Sequence, residues 1–435
     1  MQKKLIALAI AGLSTAAFAQ SNVTISGRMS VCVESMSAGG ATAAINANTG
    51  ATSYASRFRA IDNNSNIRFA GEEALGGGNA VWFQIESAVG TTNNVSTTNS
   101  LYGSVTTTGI GTRNTALGLK GNWGTFLIGK WDVHYQSMAA IDANGLTGGL
   151  AVNTNSINLL NSINGAAIIG SGRDNNLMAY ISPNWSGFSF LLGYTTVGQA
   201  DTAGLVKKDG GWQFKPTYSN GPLDIAYSHL SVNGAASGIP NNVGQFTCFN
   251  VSTFMTTVGN AACPSGTVQV GAAATAANAN TGQGVDVRSD RAGIAYSFPM
   301  GFKVGLIWDK SKHTINALQA GQVWQERSAW ALPLSYTSGA HKVSFTYAKT
   351  NDVNTQAGTT ADSSAKMAML GYEYSLSKRT IVGVAYTQLN NGTAGTYDFW
   401  HPSSNVSGGQ ASALASGLAA GVDPRSFSVN LQHTF

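Results

Sequence analysis

Hydrophobic and polar residues alternate with a period of two along most of this chain. The clearest stretches are residues 23–33, 81–86, 188–194, 302–309, 330–336, 343–347 and 427–435. Such alternation is typical of β-strands with one apolar face and one polar face. No heptad repeat and no amphipathic helix of useful length interrupts it. The pattern therefore predicts an all-β protein.

The connections between the predicted strands fall into a short class and a long class. The seven short turns lie near residues 76–78, 121–124, 183–187, 220–222, 299–301, 338–340 and 375–378. The eight long, polar connections cover residues 37–56, 91–110, 131–172, 199–209, 233–283, 311–323, 351–363 and 391–422. The two classes alternate strictly, which predicts sixteen antiparallel strands with both chain ends on the short-turn side. Outer-membrane β-barrels sort their connections in this way, with short periplasmic turns and long outer loops.

The composition agrees with a closed barrel in a membrane. Charged residues make up 10% of the chain, against about 25% in ordinary soluble domains. A sheet in hydrocarbon must close on itself so that every backbone N–H and C=O is paired. A sixteen-stranded barrel also leaves an aqueous channel, whose polar lining replaces a large apolar core. The hydrophobic share of 43% excludes a disordered chain.

The first residues read as an export signal. Lys3 and Lys4 precede an apolar run that ends in the small-x-small site Ala17-Phe18-Ala19. This order predicts a signal peptide over residues 1–19 and a mature barrel over residues 20–435. A buried N-terminal helix is the alternative. The formal net charge of +5 is too small to indicate a nucleic-acid partner.

Several motifs, taken in order, resemble the general (trimeric) porins of the Gram-negative outer membrane in their β-proteobacterial form. They lie at residues 23–27, 71–78, 83–86, 113–119, 121–124, 129–130, 180–188, 374–380 and 431–435. The resemblance implies a homotrimer in the cell outer membrane, in contact with outer-membrane lipid and lipopolysaccharide. It also implies that the barrel-assembly machinery reads the C-terminal strand through Phe435. The implied function is passive diffusion of small anionic or neutral hydrophilic solutes.

The resemblance assigns different roles to two of the long connections. It implies that residues 131–172, the third of them, fold into the barrel and constrict it. An ordinary external loop is the alternative that length alone favours. Residues 233–283 are expected to form a long outer loop.

The resemblance also implies a cluster of basic side chains on the wall opposite the inserted loop. Arg113 and Arg173 match two arginine positions of the family, whereas Lys130 stands where the family usually carries arginine. A third family position holds Asn66 here, and Arg68, two residues later on the same strand face, is its expected substitute.

The acidic residues expected near this cluster are Asp132 and Asp142 in the loop and Glu86 on the wall. Fields at a pore constriction set ion selectivity, so a basic excess there predicts weak-to-moderate anion selectivity. Alternatively, each basic residue pairs with Glu86, Asp142 or Asp174 and only braces the wall.

The three cysteines divide into a pair and a single residue. Cys248 and Cys263 share one long connection in an exported protein, which predicts a disulfide. Cys32 alternates with apolar neighbours and is expected to be unpaired, either facing the lumen or in a bulge. No Cys/His spacing indicates zinc, and no metal or cofactor is predicted.

Three other functions compete with a general diffusion pore. An enzyme barrel would place a nucleophile beside a histidine, yet the six histidines are scattered and none lies beside a nucleophile motif. A secreted adhesin would not explain the sorted connections. A substrate-specific outer-membrane channel, for example for organic or inorganic anions, is the alternative that stays open.

Overall fold

The structure is a computed structural model. It describes residues 23–43, 52–92, 109–134, 136–142, 148–168, 172–196, 210–236, 246–250, 255–259, 267–269, 284–317, 321–399 and 418–435. Sixteen antiparallel strands form one closed barrel. They are β1 (Thr24–Gly39), β2 (Tyr54–Asp62 and Asn66–Gly76), β3 (Asn79–Ala88), β4 (Thr115–Gly121), β5 (Gly124–Asp132), β6 (Arg173–Ile181), β7 (Phe188–Thr195), β8 (Gly210–Asn220), β9 (Leu223–Ala236), β10 (Gly284–Ser297), β11 (Phe302–Ala317), β12 (Gly321–Ser338), β13 (His341–Thr350), β14 (Ala365–Ser375), β15 (Thr380–Asn391) and β16 (Asp423–Thr434).

The barrel closes between its first and last strands. β1 pairs with β16 from Arg28 opposite Thr434 to Gly39 opposite Asp423. The Gly27 amide donates to the Phe435 carbonyl at 3.0 Å, and the Phe435 amide donates back at 3.1 Å. The predicted strand number is therefore confirmed. β2 is one strand in two segments, because both segments pair with β1 on either side of an irregularity at residues 63–65.

The wall alternates as the period-two pattern predicts. Val31, Leu306 and Val429 lie on the outer face and are exposed, whereas Ser30 and Asn430 lie on the inner face and are buried. An outer apolar face meets hydrocarbon, and an inner polar face meets water.

The barrel wall has two unequal sides. β4–β7 contain seven to nine residues each, and we call this side the low wall. β9–β12 contain 14 to 18 residues each, and we call this side the tall wall.

One predicted connection is mostly strand. The pattern predicts a long loop over residues 311–323, but β11 continues to Ala317 and β12 starts at Gly321. The ladder runs on from Lys310 opposite Ser328 to Ala317 opposite Gly321. The prediction was wrong because Ser311 and His313 face the inside of the barrel. Polar side chains are tolerated there in a strand, so a polar stretch is not sufficient evidence for a loop.

The third long connection packs against the inner face of the wall. Its described residues contain a 3-10 turn, Val152–Thr154, an α-helical turn, Ile157–Leu160, and a small hairpin made by Ser162–Ile163 and Ala166–Ala167. All residues from 149 to 163 are buried. No helix in the described parts of the chain is long and apolar enough to cross a membrane.

Some sequence expectations fall on residues that the structure does not describe. The signal peptide, residues 1–19, lies outside the described residues, as does Cys263. Much of the expected outer loop 233–283 is also outside them, although its strands Phe246–Asn250, Met255–Gly259 and Thr267–Gln269 form a small sheet. The Cys248–Cys263 disulfide therefore stays a prediction. Cys32 is a free thiol buried on the inner face beside Ile61 and Ala151.

Candidate functional site

Two arginines and one aspartate form a buried cluster on the inner face of the tall wall. Arg291 of β10 and Arg327 of β12 both pair with Asp309 of the intervening strand β11. The Arg291 Nε atom lies 2.8 Å from Asp309 Oδ2, and Arg327 NH1 bonds Oδ1. The side chains of all three residues have no exposed surface. We call these three residues the tall-wall clamp.

The clamp grips the helical turn of the third connection. Arg327 NH2 donates to the carbonyls of Leu160 at 2.7 Å and Leu159 at 3.1 Å, and its Nε donates to Ser162 at 2.9 Å. Arg291 NH2 also donates to Leu160, at 2.8 Å. The last carbonyls of a helical turn lack partners within the helix. The planar, multiply donating guanidinium suits such a cluster of acceptors.

The part of the connection that precedes the helical turn, at Gly149 and Leu150, is bonded to strands near the barrel seam. Asn430 Nδ2 donates to the Gly149 carbonyl at 2.7 Å, and the Gly149 amide donates to Glu373 Oε1 at 2.5 Å. Asn63 Nδ2 donates to the Leu150 carbonyl at 3.0 Å. A Cβ atom at Gly149 would collide with Ile381, so glycine allows this close approach. The connection is thus fastened to both sides of the barrel interior.

His134 fixes the start of the connection. Its Nδ1 lies 2.8 Å from Ser228 Oγ, and its Nε2 lies 2.9 Å from Ser289 Oγ. Burial, with Arg291 nearby, holds the pKa of His134 well below its usual value. The imidazole is therefore neutral near pH 7.

Arg113 and Glu86 form an ion pair beside the low wall. The Arg113 guanidinium bonds Glu86 Oε1, and its NH1 donates to Asn64 Oδ1 at 2.5 Å. The Arg113 amide also donates to the Glu86 carbonyl at 2.9 Å. Both side chains keep about a tenth of their surface exposed, 10% for Arg113 and 11% for Glu86.

Arg173 and Asp132 form a second ion pair, between β5 and β6. They are opposite each other in the ladder between β5 and β6. Arg173 Nε lies 3.0 Å from Asp132 Oδ1, and NH2 lies 3.5 Å from Oδ2. Asn114 joins them, because it donates to Asp132 at 2.9 Å and accepts from Arg173 at 3.1 Å. We call the Arg113–Glu86 and Arg173–Asp132 pairs the low-wall pairs.

The other three predicted site residues lie apart from these pairs or bond elsewhere. Arg68 is opposite Glu86 in the ladder and exposed, and it donates to the neutral Ser26 hydroxyl at 3.0 Å. Lys130 donates to the Gly111 carbonyl at 3.3 Å. Asp142 accepts from the Ser156 amide at 3.2 Å and its hydroxyl at 2.6 Å, so its carboxylate braces the third connection internally.

Sequence reasoning missed an ion pair on the long-connection half of β2. Arg59 NH2 lies 2.7 Å from Glu34 Oε1, and Arg57 lies opposite the inward-facing Met36. The signal was present, because Arg57 and Arg59 flank the outward-facing Phe58, which is 80% exposed. Arginines at alternate positions of a barrel strand are expected to face the interior together.

The described side chains form a charged, polar interior rather than a metal site. Among the described residues, no group of three or more His, Cys, Asp or Glu side chains could hold a metal ion. The arrangement is suited to the passage of water and hydrated solutes past fixed charges.

Comparison with known proteins gives one family and one curated relative. A family model described as Gram-negative porin matches residues 5–394. Outer membrane porin protein 32 of Delftia acidovorans is 29% identical over 255 residues. That alignment covers 57% of this chain and 64% of the relative, so the chain spans just under two thirds of the relative's length.

Solved structures share the fold over almost the whole chain. An anion-selective porin from Comamonas acidovorans matches with a TM-score of 0.59 and 22% identity, covering 96% of this chain and 100% of that one. The outer-membrane expressed OmpT of Vibrio cholerae matches with a TM-score of 0.59 and 12% identity, covering 95% and 98%. At these identities the matches show the fold alone.

Proposed function

The chain belongs to the Gram-negative porin family, and from that premise we propose that it is a passive diffusion channel of the outer membrane. Small hydrophilic solutes cross through the water-filled barrel, with a weak-to-moderate preference for anions. Residues 131–172 form the constriction, and residues 1–19 are a signal peptide removed on export. The channel works as a homotrimer, and its C-terminal strand with Phe435 is the signal for the assembly machinery.

The observation that carries the proposal is a segment bonded across the barrel interior. The tall-wall clamp holds its helical turn, and a second set of contacts holds Gly149 near the seam. A segment fixed to opposite parts of the wall narrows the lumen without closing a sixteen-stranded barrel.

The charges along the inner face of β1–β6 support the anion preference. Glu34, Glu86 and Asp132 each sit in an ion pair with an arginine. Arg68 adds an exposed positive charge whose described bond is to a neutral hydroxyl. Charges at a narrow, low-dielectric passage act on ions more strongly than the same charges in bulk water. The matched structure from Comamonas acidovorans is an anion-selective porin, which is the same preference.

A planar-bilayer recording tests the proposal. The full-length protein, purified in detergent, should insert with stepwise increases in conductance. The reversal potential in a KCl gradient should show that anions pass more readily than cations. For a general pore, the current should rise linearly with solute concentration. A current that saturates with one particular anion would favour the substrate-specific channel. Absence of conductance from folded protein would contradict both.

A further inference from the structure

The inner face of the low wall carries an apolar cluster beside its polar groups. Leu127 of β5, Leu177 of β6 and Leu191 of β7 face inward and are at most 4% exposed. They pack in one cluster with Ala116 and Ala179. The interior of a water-filled barrel is ordinarily polar. An apolar cluster on this wall is therefore a candidate for contact with the apolar part of a solute.

Three side chains that pack against the cluster keep part of their surface exposed. They are Trp82, Trp131 and Ile181, and we call them the apolar shelf. The rings of Trp82 and Trp131 lie 5.8 Å apart and meet edge to face, at 74°. The indole Nε1 of Trp82 is buried against the wall, where a Cβ atom at Gly118 would lie 2.8 Å from it. The exposed part of the Trp82 side chain is therefore carbon.

A lysine lies in the same row of inward-facing residues as one end of the shelf. Leu191 of β7 is opposite Ile181 of β6 on one side and opposite Lys215 of β8 on the other. Neighbouring strands are about 4.8 Å apart, so the row from Ile181 to Lys215 spans roughly 10 Å. An ammonium group thus lies at the end of an apolar strip that continues toward the two tryptophans.

Lys215 differs from other inward-facing lysines in what compensates its charge. Three of those lysines each have a carboxylate within 2.7 Å, in the pairs Lys120–Glu72, Lys303–Asp224 and Lys342–Glu373. Among the described residues, Lys215 forms no ion pair and no hydrogen bond, and it keeps part of its surface exposed. Asp132 acts on it electrostatically but is already paired with Arg173. The ammonium group of Lys215 can therefore take an anion as its direct partner.

We propose that Lys215 and the apolar shelf form a binding site for amphipathic organic anions, namely monocarboxylates with a hydrocarbon body. The carboxylate pairs with the ammonium group of Lys215, and the hydrocarbon lies over Leu191 and Ile181 toward the tryptophans. A lysine alone attracts every anion, whereas the shelf rewards an apolar body, because burial of hydrocarbon is favourable. This assignment rests on the proposed function for the route by which the solute reaches the lumen, and it names one class of solute for that route.

Equilibrium dialysis of radiolabelled carboxylates against the full-length protein in detergent tests the site, with protein-free micelles as the blank. The probes are acetate, butanoate and octanoate. The wild-type protein should bind octanoate at least tenfold more tightly than acetate. From butanoate to octanoate, binding should tighten by up to about fourfold per added CH₂ group, the factor that corresponds to about 0.8 kcal/mol for each buried CH₂. Equal binding of acetate and octanoate would overturn the proposal.

Two variants separate the charge from the shelf. Lys215→Gln should weaken octanoate binding at least fivefold, and Ile181→Thr should reduce the dependence on chain length while leaving acetate binding unchanged. If Ile181→Thr fails to fold, Trp82→Gln takes its place. The matched control is Lys303→Gln, which removes an inward-facing lysine that has its own carboxylate, and it should keep the wild-type preference. An unchanged preference in the Lys215 and shelf variants would overturn the proposal.

Two further readouts locate the site and separate it from the pore itself. Octanol should bind more weakly than octanoate, and equal binding would overturn the role of Lys215. In a planar bilayer, octanoate should lower the single-channel chloride current of the wild type, and it should lower that of Lys215→Gln less. An unaffected current despite octanoate binding would place the site outside the lumen and overturn the proposal. Octanoate binding to a folded protein that shows no conductance would support the site and contradict the proposed function.

Discussion

The low wall and the tall wall use the same chemical pair, arginine with a carboxylate, in two different environments. In the tall-wall clamp the side chains of Arg291, Arg327 and Asp309 are 0% exposed, and two guanidinium groups share one carboxylate. In the low-wall pairs the side chains retain 9–12% of their surface, and each arginine has its own carboxylate. Residue type alone therefore does not distinguish an arginine that holds the third connection from one that faces the water.

The difference lies in what compensates the charge. The clamp has an excess of donors, and backbone carbonyls of the third connection accept them. A buried charge that loses its partner is costly, whereas a partly hydrated one is stabilised by water. Substitutions in the clamp are therefore expected to change how the third connection is held. Substitutions in the low-wall pairs are expected to change the electric field in the lumen.

The largest effect should follow from Arg327→Ala, which breaks the clamp. Removing one partner of a buried pair typically costs about 3–5 kcal/mol. The helical turn should detach, so single-channel conductance should rise and become unsteady, and the free energy of unfolding should fall. Bilayer recording and urea unfolding measure the two changes. Arg288→Ala, an exposed and outward-facing change on β10, is the control, and similar behaviour of the two variants would show that the clamp does not hold the turn.

The next largest effect is expected on ion selectivity, from changing the arginines of the low-wall pairs. Replacing Arg113 and Arg173 together by Glu should move the reversal potential toward cations. One unit charge acting on another at about 7 Å is worth roughly 2 kcal/mol at an effective dielectric constant of about 20. The Glu72→Gln/Glu73→Gln variant, changed near the first short turn, should behave nearly like the wild type. An unchanged reversal potential in the arginine variant would show that Arg113 and Arg173 do not line the constriction.

A smaller effect should follow from acidification. The pKa of His134 is lowered by burial, with Arg291, His229 and Lys215 opposing its charge and Asp309 favouring it. The unfolded chain therefore binds a proton near pH 6.5 that the folded chain does not bind until a lower pH. Stability should be full above pH 6.5 and fall below it, by at most about 1.4 kcal/mol per pH unit. Unfolding rates from pH 7.5 to 5 should show this loss, and the His134→Gln variant should show less of it.

The smallest effect concerns one exposed charge. Arg68→Gln should weaken anion selectivity slightly at 0.1 M KCl and not at all at 1 M. The Debye length shrinks from about 10 Å to about 3 Å over that range, so the field of an exposed side chain is screened. Reversal potentials at both salt concentrations check this. A larger change than in the Arg113/Arg173 variant would mean that Arg68 lies at the narrowest point.

The wall was predictable from sequence because its rules are local. Period two and turn composition act over a few residues, and they suffice for sixteen strands. The same local rules wrongly predict a loop over residues 311–323, because the inward-facing Ser311 and His313 make a strand segment as polar as a loop. The clamp was not predictable, since Arg327 bonds carbonyls 165 to 168 residues earlier in the chain. Nothing in a local pattern couples an inward arginine to a backbone so distant.

The closure of β1 on β16 has a consequence for the order in which the molecule assembles. Asn430 reaches both Asn63 and Gly149, and the Ser30 hydroxyl bonds it across 400 residues of chain. The clamp that receives residues 157–162 is likewise contributed by strands that follow them in the chain. Contacts of such long sequence separation form late, because each requires a large loop to be closed first. Asn63 in the first half of the chain can bond the Leu150 carbonyl early, but the clamp and Asn430 become available only after the second half of the polypeptide has folded. We therefore expect the helical turn Ile157–Leu160 to dock onto the wall among the last steps of assembly.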